Sequence, residues 1–138
     1  MTEKEVKSIL VNKLNFNQDA LYKLDNFCNE VIDYNQKFNL ISKSTVPEIW
    51  DRHILDSAQL VKFIDFKDDK SLSDLGTGAG FPGIVIAIFN RNPKFHVKLY
   101  EKSKVKTKFL IKLCEKLNIK AQIYENDYCS HNIESNYI

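Results

Sequence analysis

Every glycine in this chain falls inside eight consecutive positions, at Gly76, Gly78, Gly80 and Gly83 of the stretch Ser71 to Ile84, SLSDLGTGAGFPGI. Glycine has no Cβ, reaches positive φ at little cost and lets the main chain touch a bound molecule, so backbone freedom is gathered at one bend. Before the bend, Leu72 and Leu75 with Ser71, Ser73 and Asp74 form a short strand-like segment. After it, Pro82 pre-sets φ for a first helical turn, and Ile84 to Phe89 is apolar on all sides, as a helix buried against a sheet would be. Strand, glycine-rich turn and helix in that order leave backbone N–H groups free at the helix start, where a polar or anionic part of a nucleotide-like ligand would sit.

The chain has 138 residues, enough for one domain and one core. With 43% hydrophobic and 28% charged residues, it has the composition of a globular rather than a disordered or membrane protein. Its longest apolar run is far short of the ~20 residues that cross a bilayer. The N-terminus MTEKEVK has no apolar signal core, so a cytoplasmic protein without a membrane partner is expected. Cys28, Cys114 and Cys129 are odd in number and lack C-x-x-C spacing, which points away from a disulfide framework and from a metal site. Net charge is only +2, but Lys102, Lys104, Lys106, Lys108 and Lys112 crowd one segment.

Three helices are expected in the first half. Glu3 to Val11 carries Val6, Ile9 and Leu10 at helical spacing, and Gln18 to Tyr34 repeats Leu21, Leu24, Phe27 or Cys28, Val31 and Tyr34 on one face. Phe38 to Ser42 is a connector with apolar groups to pack. Thr45, Pro47 and Glu48 predict a capping box opening a third helix to about Phe63, which would bury Ile49 or Trp50, Ile54, Ala58, Val61 and Ile64. Past the polar link Asp65 to Lys70 and the glycine stretch, Phe95 to Tyr100 alternates like a strand, Lys104 to Leu117 reads as a helix and Ala121 to Tyr124 as a third strand. Asn126 to Ile138 shows no pattern. Strand, helix, strand, helix, strand is the unit of a parallel α/β sheet. The expected fold is therefore α/β: a single domain over 1–138, with a helical N-terminal cap over 1–66 and a Rossmann-like half-sheet of about three parallel strands over 71–128. Such folds usually have two halves, so either the chain is truncated or a second chain completes the sheet.

Glu101 closes the second strand roughly 20 residues past the bend, where a carboxylate can either accept hydrogen bonds from both hydroxyls of a ribose or sit on the surface paired with nearby lysines; the first is the expectation followed. A cofactor containing adenosine follows. Gly78-Ala79-Gly80-Phe81-Pro82-Gly83 matches the G-x-G-x-x-G dinucleotide pattern, which alone is a weak sign of a nicotinamide-dependent oxidoreductase and should begin at the strand end. Here Asp74-Leu75-Gly76-Thr77-Gly78-Ala79-Gly80 instead resembles the S-adenosylmethionine signature of Rossmann-like methyltransferases.

Read outward, FNLIS at Phe38 to Ser42, RHILDS at Arg52 to Ser57, DLGTGAGFPGI at Asp74 to Ile84 and KFL at Lys108 to Leu110 resemble, in order and spacing, the RsmG or glucose-inhibited division protein B family. Its members methylate N7 of a guanine in small-subunit (16S) ribosomal RNA. The resemblance implies S-adenosyl-L-methionine as cofactor, with Gly76, Gly78, Gly80 and Phe81 near its methionine and adenosine parts and Glu101 on the ribose. The family's segment after the third strand corresponds to Asn126-Asp127-Tyr128, which lacks the usual arginine and places Asp127 and Tyr128 beside the adenine. Family members continue through further strands with an arginine-bearing segment, so the resemblance also implies a C-terminally truncated chain.

Guanine N7 has an in-plane lone pair and no proton, so its methylation needs alignment rather than a general base. This agrees with a sequence offering no Ser/His/Asp, Cys/His or metal-ligand constellation, and no catalytic residue is assigned. N7 lies on an edge that A-form RNA hides in a deep groove, so the target belongs in a loop or an unfolded segment. Arg52 and His53, with Lys104, Lys106 and Lys108, are the candidate RNA contacts. The competing expectation is a non-catalytic remnant or module that binds RNA or protein without turnover.

Overall fold

The computed structural model describes residues 1–125 and 135–138. Helix α1 spans Glu3–Asn12, with the Thr2 hydroxyl accepting from the Glu5 amide. Helix α2 spans Gln18–Asn35 behind an Asn17 cap whose Oδ1 accepts from the Ala20 amide at 2.7 Å. Both caps satisfy one of the amides that a helix start leaves without an internal partner. The α2 face that buries Leu24, Phe27, Cys28 and Val31 is the one the spacing predicts.

The third helix departs from expectation. Lys43–Glu48 is a 3-10 turn, Trp50–Leu55 a wide π turn, Asp56–Ala58 a single α turn (α3) and Gln59–Phe63 again 3-10. Pro47 removes a donor from the ladder. Thr45 does not form a capping box, because its hydroxyl donates to the Ser42 carbonyl at 2.8 Å and also bonds the His53 ring. The inward positions are nonetheless as expected: Ile49, Trp50, Ile54, Ala58 and Val61 are buried, and Ile64 is half-buried.

Strands β1 (Ser71–Leu75), β2 (His96–Tyr100) and β3 (Gln122–Tyr124) form a parallel sheet in the order β1-β2-β3, with Leu72 opposite Val97 and Leu99 opposite Ile123. Helix α4 (Gly83–Phe89) joins β1 to β2 and α5 (Lys104–Leu117) joins β2 to β3, while α2 packs on both helices. At seven residues α4 is too short to hold itself. Burial of Ile84, Val85, Ile86 and Ile88 holds it instead, each side chain contributing about 1.5–3 kcal/mol.

The segment from residue 135 lies against the other edge of β1. Leu72 pairs in parallel with Tyr137, whose carbonyl accepts from the Ser73 amide at 2.8 Å. The chain thus builds outward from β1 on one side and returns to its other side, which places a reversal of strand order at β1. Ligands of open α/β sheets bind at the carboxyl ends of the strands beside such a reversal. Among the described residues no helix is long and apolar enough to cross a membrane. Cys28 and Cys114 are free thiols, and burial pushes both up, Cys114 to about 12, so neither is a reactive thiolate near neutral pH.

Candidate functional site

The bend between β1 and α4 has two kinds of glycine. Gly76 and Gly78 adopt φ of +70° and +62°, and a Cβ at either would meet nothing within 4 Å. Gly80 and Gly83 are packing glycines, since a Cβ would strike Ile84 at the first and Leu99 at the second. Backbone freedom therefore opens space at the strand end and removes it where α4 docks on the sheet.

Glu101 lies just past β2 and is buried, with both carboxylate oxygens turned to the bend and to the start of α5. Oε1 accepts from the Gly78 amide at 3.1 Å and Oε2 from the Ser103 amide at 2.7 Å. A carboxylate has roughly four lone-pair positions, so two remain for a diol. Those two amides fix the carboxylate before any ligand arrives.

Asp74 at the end of β1 supplies a second acid. Its Oδ2 accepts from the Gly83 amide at 2.9 Å, tying the strand end to the first residue of α4. Burial pushes its carboxyl above the usual range and the Glu101 charge adds to this, while the Gly83 amide and nearby Thr77 hydroxyl pull the other way. Thr77 Oγ1 is buried and makes no well-formed hydrogen bond among the described residues. The bend thus gathers two fixed carboxylates, a buried hydroxyl and two glycines facing open space. A positively charged ligand bearing a diol fits these groups.

Phe81 is in the bend, but its ring is held between Phe27 and His53, at 5.0 Å from each. His53 Nε2 is 2.9 Å from Thr45 Oγ1. Because that hydroxyl spends its proton on the Ser42 carbonyl, Nε2 carries a hydrogen and donates to Thr45. Burial lowers the His53 pKa, so the ring is neutral near pH 7. His53 therefore buttresses the bend.

Arg52 is exposed and paired with Glu48 at 3.1 Å. Lys104 and Lys108 are exposed on α5, and Lys106 is half-buried. The structure brings Gly76, Gly78, Gly80, Phe81 and Glu101 together around one bend; Asp127 and Tyr128 lie outside the described residues. Sequence reasoning did not single out Thr77 or the Ser103 amide as part of the site, and no residue-type pattern marks either. Asp74 was visible as the acid two positions before the glycine run.

The family model for rRNA small subunit methyltransferase G (GidB) matches residues 20–137. Ribosomal RNA small subunit methyltransferase G of Pelagibacter ubique is 36% identical over 134 residues, covering 94% of this chain and 62% of that protein. Its namesake from Bartonella henselae is 37% identical, covering 88% and 56%. That of Mycoplasma mycoides subsp. mycoides is 41% identical over 113 residues, 80% of each chain. The chain spans about three-fifths of the length of the first two of these relatives. Fold, bend and matched residues agree: the chain belongs to the rRNA small subunit methyltransferase G family.

Proposed function

We propose that this chain binds S-adenosyl-L-methionine at the bend and serves methylation of guanine N7 in small-subunit ribosomal RNA. Glu101 carries the reading, because its carboxylate is fixed toward the bend by Gly78 and keeps the acceptor capacity a ribose diol requires. Gly76 and Gly78 leave room for the methionine part, and Asp74 offers charge to its ammonium group. When bound, the cofactor supplies a methyl group made electrophilic by its sulfonium.

The two acids also favour this cofactor over a nicotinamide dinucleotide. A pyrophosphate at the start of α4 would meet the Asp74 carboxylate, which already accepts from the Gly83 amide, with Glu101 close enough to raise the Asp74 pKa. Like charges in so buried a place repel strongly. A cofactor with a sulfonium and an ammonium group is attracted instead.

The chain's contribution to the reaction is positional. Guanine N7 needs no base, so holding donor and acceptor in line suffices, an effect worth up to about 7–11 kcal/mol when alignment is complete. His53 and Phe27 keep the Phe81 segment in place. The exposed lysines Lys104 and Lys108 supply positive charge for RNA phosphates. Calorimetric titration with S-adenosylmethionine and S-adenosylhomocysteine, with a labelled-methyl assay on small-subunit ribosomal RNA, separates the possibilities. Heat and transfer support the full reading, and heat with RNA binding but no transfer identifies a binding module. Absence of heat at high ligand concentration removes the cofactor claim.

A further inference from the structure

Phe38 is a large apolar side chain held out in water, 41% exposed, on a turn that is anything but loose. The buried Asn35 side chain clamps that turn, its Oδ1 accepting from the amides of Leu40 at 2.8 Å and Ile41 at 3.0 Å. The Lys37 and Phe38 amides donate back to the Tyr34 carbonyl, and the Leu40 amide to the Phe38 carbonyl. Leu40 goes inward from this turn while Phe38 stays out. Its ring stacks on Tyr34, centroids 5.0 Å apart and planes 28° apart.

Cross-contacts between α2 and α5 show what lies beside that ring. Lys23 Nζ reaches the Asn118 carbonyl, Glu30 pairs with Lys116, and Tyr34 packs on Phe109 at 5.1 Å. The two helices run antiparallel, and Tyr34, which touches both rings, links Phe38 to Phe109 in the first half of α5. Val105 is there, itself 37% exposed, with Lys104 and Lys108 one residue before it and one turn after it. Neither lysine makes an ion pair among the described residues. This end of α5 follows Glu101 by three residues, so the patch lies at the same end of the sheet as the bend.

We infer that the Phe38 ring, backed by Tyr34, is a stacking platform for an unpaired base of the RNA, and that Lys104 and Lys108 hold the adjoining phosphates. The inference rests on the RNA reading above and adds the surface that holds the strand. Splayed-out bases of single-stranded RNA are recognised by stacking on aromatic rings, with cations following the backbone. A rigid exposed ring linked through Tyr34 to a helix that carries exposed lysines has that chemistry. An apolar partner protein would have no use for the lysines, whose positive charge is complementary to a polyanion.

The test measures binding of a short single-stranded RNA with a central guanine to the protein and its variants, across a salt series. Phe38→Ala and Phe38→Leu should each weaken binding about tenfold without changing the salt dependence, whereas Phe38→Tyr should bind as the parent does. Lys104→Gln with Lys108→Gln should lower the slope of log affinity against log salt by ~0.7 for each phosphate deprived of its lysine. S-adenosylhomocysteine titration is read alongside and should be unchanged in every variant, which keeps failure of the platform distinct from failure of the cofactor site. Parent-like RNA affinity in both Phe38→Ala and Phe38→Leu overturns the inference. So does absence of RNA binding by the parent protein, or a dimer by light scattering that Phe38→Leu dissociates.

Discussion

His53 lies face to face with Phe81, ring centroids 5.0 Å apart and planes 29° apart. The imidazole belongs to the irregular third helix and the phenyl ring to the glycine bend, so this stack joins the helical cap to the candidate cofactor site. The π turn that carries His53 is a rare geometry, frequent at functional sites. Thr45 fixes the ring from one side, and the Asp56 and Arg52 charges act on it in opposite directions.

Burial lowers the His53 pKa below 6.5, so protonation favours the unfolded chain. Its neutral form contributes stability that is present above the unfolded value and lost as pH falls through the folded one. His53→Phe keeps a ring against Phe81 and cannot titrate. Thermal melts between pH 5 and 8 should therefore show a shallower acid-side loss for the variant than for the parent. Parallel curves would mean that His53 titrates as it does in the unfolded chain.

Asp74 has the opposite sign. Its pKa is raised, first by burial, so the protonated form favours the folded chain; the benefit is present below the unfolded value and lost as pH rises through the folded one. Asp74→Asn keeps an oxygen for the Gly83 amide, offers an N–H toward Thr77, and removes the repulsion with Glu101. The variant should melt a few degrees above the parent at pH 8, with the difference vanishing near pH 4. Its affinity for S-adenosylmethionine should fall, because an ammonium group loses its counter-charge. A melting temperature below the parent's at pH 8 would show that Asp74 is worth more charged than its burial costs.

The glycines separate by what surrounds them. Gly78→Ala places a Cβ in open space at φ +62°, so the folded chain should lose only about 1–2 kcal/mol from the left-handed backbone. Gly83→Ala drives a Cβ into Leu99 and to within 2.8 Å of Asp74 Oδ2, at a cost of about 1–3 kcal/mol or more from overpacking. Urea unfolding should rank Gly83→Ala as the weaker protein, whereas ligand titration should show the larger loss per unit of stability for Gly78→Ala. Equal effects of both on folding and binding would contradict the division of roles.

The α5 boundaries Lys104 and Leu117 could be read from sequence because Phe109, Leu110 and Leu113 recur on one face. The α/β order was readable for a similar reason, since three strand-like runs alternate with helical ones. The third helix was not. Thr45, Pro47 and Glu48 spell a capping box, but the Thr45 hydroxyl is drawn to Ser42 and His53, a contact eight residues away that no local pattern carries. Tyr137 was also illegible, because a single bridge to Leu72 has no periodicity of its own. At the site, the glycine spacing and Glu101 were visible as residue types. The split of four glycines into two open and two packed depends on Ile84, Leu99 and Leu110, which meet them only in three dimensions.

Glu101→Gln tests the cofactor reading most directly. Glutamine keeps the shape but presents one oxygen and one N–H₂ to two amide donors, so either Gly78 or Ser103 would face a donor. The bend should loosen, and a ribose diol would lose a charged acceptor whose hydrogen bonds contribute about 1.5–3 kcal/mol, roughly a tenfold to hundredfold loss in affinity. Calorimetry with S-adenosylhomocysteine should show that loss, and adenosine itself should weaken by the same factor because the missing hydrogen bonds are all to the sugar. A variant that melts lower yet binds both ligands as the parent does would make Glu101 a tie between Gly78 and Ser103 with no ligand of its own.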